Sequence, residues 1–492
     1  MPPWRHVHYV RLVLPSRPAR LRRRTAVLTA SALLTSLTAL APGPAGGAEP
    51  APFGSPGIGD SYFPEDGNGG IDVQRYEIHD RWRFTGRRLS GWTRVSLTAT
   101  DTLAGFDLDL LLPVLDVTVD GAEVAWSRPD PHELRIESAV RAGEGHDVVV
   151  TYDGRPGDLR WNGEDSWLAD RTEVVAMNEP HMAPWWFPAN DHPRDKALVD
   201  VSITAPRRLD VVAGGEQASR TVEGRLATTR WRAPEPMAPY LAFFAVGDFA
   251  TRSGVDHGLP WSVAVSRQVP RATRRTSMRL MLRTPGAVRW LERRLGPYPF
   301  STTGGLTTSL SPGFALENQT RPTYPVLAGG SVRTVVHELA HQWFGDSVSV
   351  EDWRDIWLNE GAATFLEVWW VDAHGGVPAQ RWLERAYDAE ASDPSFWDLD
   401  ITDPGADRLF DWPVYQRGAM AFQALRHRLG GRTFTTLLQT WLSDHAGGAG
   451  STTEFEALAR SVSGQDLTAF FDAWLRGSSP PARTSANGLD AS

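Results

Sequence analysis

Two patterns of hydrophobic residues divide the chain. From Ile71 to about Phe249, apolar and polar residues alternate over short runs separated by turn residues. Examples are Arg94-Val95-Ser96-Leu97-Thr98, Phe106-Asp107-Leu108-Asp109-Leu110 and Asp147-Val148-Val149-Val150-Thr151. A period of two puts one apolar face on a core, which predicts half-buried strands. Asp120-Gly121, set between Val117-Thr118-Val119 and Ala122-Glu123-Val124, is the dipeptide that tight hairpins favour. Residues 71–250 are therefore expected to form an antiparallel β domain.

The period changes after about residue 270. Pro285 to Leu295 has a helical apolar stripe with proline in its first turn. Ser331 to Phe344 is a second such stretch, closed by Gly345, and Trp357 to His374 a third, closed by Gly375-Gly376. Arg417–Leu429, Thr433–His445, Thr453–Ser461 and Asp466–Leu475 predict further short helices separated by glycine. The overall expectation is a multidomain α+β protein, with the β domain followed by a mainly helical domain over 251–477. Residues 49–70, rich in Pro and Gly, are expected to be a linker, and the polar residues 478–492 a disordered tail. There is no internal repeat.

Composition narrows the class. The chain has 492 residues, 41% of them hydrophobic and 22% charged, as in ordinary globular proteins. Arg20, Arg22, Arg23 and Arg24 precede an apolar stretch from Thr25 to Ala41, and small residues follow at Gly46-Gly47-Ala48. This is the layout of a cleavable export signal over residues 1–48, and it predicts a secreted protein. The apolar stretch is shorter than the roughly 20 residues of a membrane span, so no stable membrane insertion of the mature chain is expected. Without residues 1–48 the formal charge falls from −9 to −16, which argues against nucleic acid as a partner. With 0 Cys, disulfides and thiolate metal sites are excluded.

The strongest chemical signal is His337-Glu338-Leu339-Ala340-His341. Histidines at i and i+4 share one helix face, so both imidazoles reach one ion. Ser331 is placed to cap this helix, and Val335, Val336, Leu339 and Trp343 to face the core. Glu360 follows on the next predicted helix, 19 positions after His341. Two His and one Glu hold zinc and leave a fourth position open, which marks a catalytic rather than a structural site. Glu338, beside the metal face, suits a general base.

On these residues the chain resembles the aminopeptidase N and leukotriene hydrolase family of gluzincin metallopeptidases. The resembling segments are His337-Glu338-Leu339-Ala340-His341-Gln342-Trp343-Phe344-Gly345-Asp346 and Trp357-Leu358-Asn359-Glu360-Gly361. Upstream, Trp185 to Pro193 with Lys196-Ala197, and Leu295 to Phe300, are similar to further family segments. The resemblance implies a thermolysin-like catalytic domain, one Zn(2+) per chain held by His337, His341 and Glu360, and peptide substrates with a free N-terminus. It implies that Phe314-Ala315-Leu316-Glu317-Asn318 is the exopeptidase loop. In that loop Glu317 would grip the substrate amine, with Ala315 and Asn318 as neighbouring substrate contacts. Phe314 stands where the family has glycine. Asn178-Glu179-Pro180 resembles a second family segment, which implies that Glu179 is the other amine anchor. Of the two tyrosines after Glu360, Tyr415 begins the family-like Tyr-Gln-Arg-Gly-Ala and is preferred over Tyr387 as donor to the oxyanion.

The function expected is a zinc-dependent aminopeptidase. A non-catalytic peptide-binding relative and an epoxide-hydrolysing or di- and tripeptide-specific relative remain as alternatives. About 115 residues follow Gly376, fewer than the capping helical domain of large family members needs. An open cleft that accepts peptides of several residues is therefore also expected.

Overall fold

The computed structural model describes residues 51–327 and 331–489; the expected export signal at 1–48 lies outside them. Its first half is built on an eight-stranded sheet. From edge to edge the strands are Glu216–Glu223, Leu226–Met237, Ala197–Pro206, Ile71–Arg83, Arg88–Ala99, Gly145–Gly154, Val114–Val119 and Ala122–Glu123. The alternation read from sequence is the alternation of burial. In Ile71–Arg83 the inward positions are Ile71 and Val73, then Tyr76, Ile78, Asp80 and Trp82. The phase changes at a bulge between Val73 and Arg75, where one extra residue re-aims the strand. Asp120 and Gly121 have φ of 51° and 81° and turn the hairpin as their residue types require. One feature departs from an all-antiparallel domain: Ile71–Arg83 runs parallel to Ala197–Pro206.

Phe106–Asp109 departs further from the alternating pattern. All four residues are buried, Asp107 and Asp109 included, because both faces of this strand are covered. The hairpin Phe249–Asp256/Leu259–Ser266 joins Thr303–Thr307 and Thr323–Tyr324 in a separate four-stranded sheet. It thereby belongs with the helical half rather than with the first sheet.

Two segments read as irregular are packed. In 51–70, Asp60, Asp66 and Asn68 are buried. Asp60 accepts from the Trp353 amide at 2.9 Å and lies 3.1 Å from His192 Nε2, so the segment is a strap from the β half to the helical half and not a free linker. At the other end, Leu489 is buried, Asn487 O accepts from Trp474 Nε1 at 3.0 Å, and Pro481 O accepts from the Tyr387 hydroxyl at 2.7 Å. Residues 478–489 are thus a tied-down strand of coil, not a disordered tail. Their contacts are isolated anchors with no period for a pattern to reveal.

Among the helices, three place the site: the histidine helix Val332–His341, the glutamate helix Trp357–Ala373 and the tyrosine helix Trp412–Leu429. The last begins five residues before its expected start, with Pro413 in its first turn. Helices Arg271–Met281 and Ala379–Glu390 add to those expected; the second buries Ala379, Leu383, Ala386 and Tyr387. The glutamate and tyrosine helices cross in close contact at Gly361 and Gly418. A Cβ on either glycine would lie 2.8 Å from the other's Cα.

Candidate zinc centre

The histidine helix starts as its sequence dictates, with the Ser331 hydroxyl accepting from the Arg333 amide at 3.1 Å. His337 and His341 then lie one turn apart, ring centroids 4.8 Å from each other, both buried. Glu360 reaches in from the glutamate helix. Its Oε2 is 3.2 Å from His337 Nε2 and 3.6 Å from His341 Nε2, and one ligand atom from each of the three lies within 4.8 Å of the others. Ligands held about 2.0–2.2 Å from a tetrahedral zinc are separated by about this much, so the three donors fit the ion.

The far nitrogen of each ring is held. His341 Nδ1 donates to Phe344 O at 3.0 Å, and His337 Nδ1 donates to Glu367 Oε1 at 2.9 Å. Both arrangements leave Nε2 as the metal-facing atom. Glu367, itself held by Arg333 Nε at 3.0 Å, was missed from sequence. The available signal was its spacing: it lies two turns after Glu360 and so projects from the same helix face. Burial works against charge on Glu360, yet the two imidazoles hold its carboxyl below the usual range.

Four further carboxylates share this pocket. Burial pushes Glu338 up to about 8, reinforced by Glu317 and Glu360 and opposed by the two imidazoles. Carboxylate oxygens of Glu317 and Glu338 and a ring nitrogen of His341 lie within 4.8 Å of one another. Burial, and then the charges of Glu317, Glu360, Glu338 and Asp346, raise Glu179 well above the ordinary range. Its Oε1 has no hydrogen-bond partner among the described residues. Both carboxylate oxygens of Asp346 are likewise unpartnered. Beside these carboxylates stands Lys196, whose Nζ donates to the carbonyls of Asp346 and Ser347 at 2.8 Å and whose charge acts on Asp346.

The loop carrying Glu317 is fixed from two sides. Its backbone carbonyl accepts from Gln342 Nε2 at 2.9 Å, and its carboxylate accepts from the Tyr240 hydroxyl at 3.3 Å. Asn318 Nδ2 donates to Leu241 O at 3.3 Å, while Ala315 is half-buried at the loop's start. Gln342, next in sequence to His341, links the histidine helix to the loop that carries Glu317. The Tyr415 ring lies near-parallel to His337, centroids 6.2 Å apart, in the first turn of the tyrosine helix. Tyr387 instead packs against Trp397 and the 478–489 segment, away from the pocket.

Comparison with known proteins agrees with this geometry. Residues 327–474 match the Peptidase family M1 domain. A solved M1 zinc metallopeptidase from Deinococcus radiodurans, a mutant bound to the substrate Tyr-Ser-Ala, superposes with a TM-score of 0.79 at 28% identity, over 87% of this chain and 99% of that one. Tricorn protease-interacting factor F2 of Thermoplasma acidophilum is 23% identical over 440 residues, 82% of this chain and 53% of its own length. Aminopeptidase M1 of Arabidopsis thaliana is 26% identical over 434 residues, 78% and 48% respectively. The chain spans about half the length of these curated relatives.

Proposed function

We propose that this chain, which belongs to the aminopeptidase N-type family of zinc metallopeptidases, is an aminopeptidase that removes the N-terminal residue of peptides. The observation that carries the reading is the convergence of Glu179 and Glu317 on the pocket of the two histidines and Glu360. Carboxylates beside the metal donors supply the negative charge that an α-ammonium needs one residue's length from the bond to be cut.

One zinc ion at His337, His341 and Glu360 would supply a Lewis acid that polarises the scissile carbonyl and acidifies a water molecule. The remaining work falls to the chain's own side chains. Glu179 and Glu317 hold the substrate amine and so set which bond is presented. Glu338 takes the proton of the attacking water and delivers it to the departing amine. The Tyr415 hydroxyl donates to the oxygen that gains charge in the transition state. His337 and His341 are kept in one tautomer by Glu367 and the Phe344 carbonyl. The same proposal places the mature protein outside the cytoplasm, on the strength of the leader at 1–48; N-terminal sequencing of secreted protein tests that part.

A panel of amino-acid arylamides, each with a free or an acetylated amine, tests the activity. Free amines should be cleaved with zinc bound and acetylated ones hardly at all. Equal cleavage of both would remove the anchors from the reading.

A further inference from the structure

A second group of metal donors lies in the β half. Strand Phe106–Asp109 pairs antiparallel with Glu133–Glu137, setting Asp107 opposite Arg135 and Asp109 opposite Glu133. The first pair is a two-bond ion pair at 2.9 and 2.8 Å. The second, one step along the same face, sets two carboxylates against each other, both essentially inaccessible to solvent. Facing like charges are destabilising, and a buried charge needs a partner. The Arg128 guanidinium donates to the carbonyls of Leu110, Leu112 and Pro131.

His132 completes the group. Its Nδ1 is 3.4 Å from Glu133 Oε1 and 3.7 Å from Asp109 Oδ1, and the three donor atoms lie within 4.8 Å of one another. These separations match the 3.2 and 3.6 Å of the catalytic donors. Glu133 Oε2, on the same carboxylate, and His132 Nε2 are both buried with no hydrogen-bond partner among the described residues. Trp161 closes the group from one side, stacked on the His132 ring at 3.9 Å. Behind it, Asp66 pairs with His181 at 2.6 Å, and Asp191 adds another buried carboxylate with an unpartnered Oδ2.

We propose that Asp109, His132 and Glu133 bind a second divalent cation, structural rather than catalytic. An imidazole with two carboxylates suits a first-row transition ion better than calcium or magnesium, which prefer oxygen alone. The site is built to hold segments together. Asp109 Oδ2 accepts from the Gly67 and Asp191 amides at 3.1 and 2.6 Å, and Oδ1 from Asn68 Nδ2 at 3.0 Å. An ion here locks the 51–70 strap and the 190–191 turn onto the β half.

The test uses the full chain and zinc as probe. The variant His337→Ala/His341→Ala, which removes the catalytic donors, is stripped with chelator and dialysed against zinc. It should retain about one zinc per chain and melt higher with zinc than without. Adding His132→Asn and Glu133→Gln should abolish both effects. Zinc-edge anomalous diffraction from parent crystals, which needs no variant to fold, should show a peak among Asp109, His132 and Glu133 in addition to one at the catalytic triad. A folded catalytic-site variant that binds no zinc, or crystals with no peak at this position, overturns the proposal and leaves the aminopeptidase reading untouched.

Discussion

Gly418→Ala should separate the two helices that carry Glu360 and Tyr415. The new Cβ would sit 2.8 Å from the Gly361 Cα and 3.5 Å from its amide nitrogen. Carbon atoms in contact prefer about 3.5–4.0 Å, so the crossing must open by about 1 Å or the helices must slide. Nothing at the contact is a flexible side-chain tip, because the obstructing atoms are backbone. Overpacking of this kind costs about 1–3 kcal/mol of stability. Turnover suffers on a comparable energy scale, since Glu360 adjoins Gly361 and Tyr415 lies one turn before Gly418. A displacement of about 1 Å at a reacting centre costs on the order of 100-fold. We expect kcat/KM on a leucine arylamide to fall by about that factor, mainly through kcat, while zinc content at saturating zinc stays near the parent value. Gly361→Ala fills the same gap from the other side and should behave alike. Gly431→Ala is the control, because its Cβ would meet nothing within 4 Å; it should keep full activity and gain a little stability. Parent-like kcat/KM and melting temperature in Gly418→Ala would refute the claim that this crossing sets the catalytic geometry.

Glu338→Gln should retain zinc and fold while losing nearly all turnover; turnover within a few-fold of the parent would strip Glu338 of the general-base role. Replacing His337, His341 or Glu360 with Ala should abolish zinc binding at that triad, measured as metal content after dialysis. Glu367→Gln should weaken zinc affinity by about 10- to 100-fold, as loss of a carboxylate behind a ligating histidine does; competition with a chelator reads this directly, and unchanged affinity counts against the His337–Glu367 contact. Glu179→Gln should raise KM for free N-termini far more than it lowers kcat, and should narrow the preference over acetylated substrates.

Legibility followed periodicity and residue chemistry. The Asp120-Gly121 turn, the capped histidine helix and the pairing of His337 and His341 each follow from two to ten neighbouring residues, and the structure repeats them. Glu360 was reachable because it falls on the next predicted helix, 19 positions after His341, where a third donor completes the two histidines. Glu367 and Gln342 act through contacts of 30 and 25 residues' separation, and neither residue type announces a role by itself. Phe106–Asp109 misled in a different way. Its alternation predicts an outward acidic face, but a second layer covers that face and turns Asp107 and Asp109 into buried groups with opposite fates. The strap at 51–70 is held by side-chain acceptors such as Asp60, a device that leaves no hydrophobic signature.

Gln342 tests whether the metal helix and the amine anchor act as one unit. Its Nε2 donates to Glu317 O at 2.9 Å, and its Oε1 accepts from the Thr320 amide at 2.7 Å and the Tyr298 hydroxyl at 3.2 Å. Thr320 has φ of 68°, a conformation that a β-branched residue holds only when its surroundings impose it. The glutamine amide is part of that imposition. Gln342→Ala removes three hydrogen bonds in a buried place, each worth about 0.5–1.5 kcal/mol net. Part of that total is recovered as the 317–320 loop relaxes, and relaxation is what moves Glu317. We expect KM for free N-termini to rise by about 10-fold, kcat to fall less, and zinc content to stay unchanged, since His341 keeps its own bond to Phe344 O. Gln342→Glu keeps the size and the acceptor but loses the donor to Glu317 O, so it should reproduce most of the KM effect. If zinc is lost while KM is unchanged, Gln342 serves the metal helix alone and the coupling to the anchor loop is wrong.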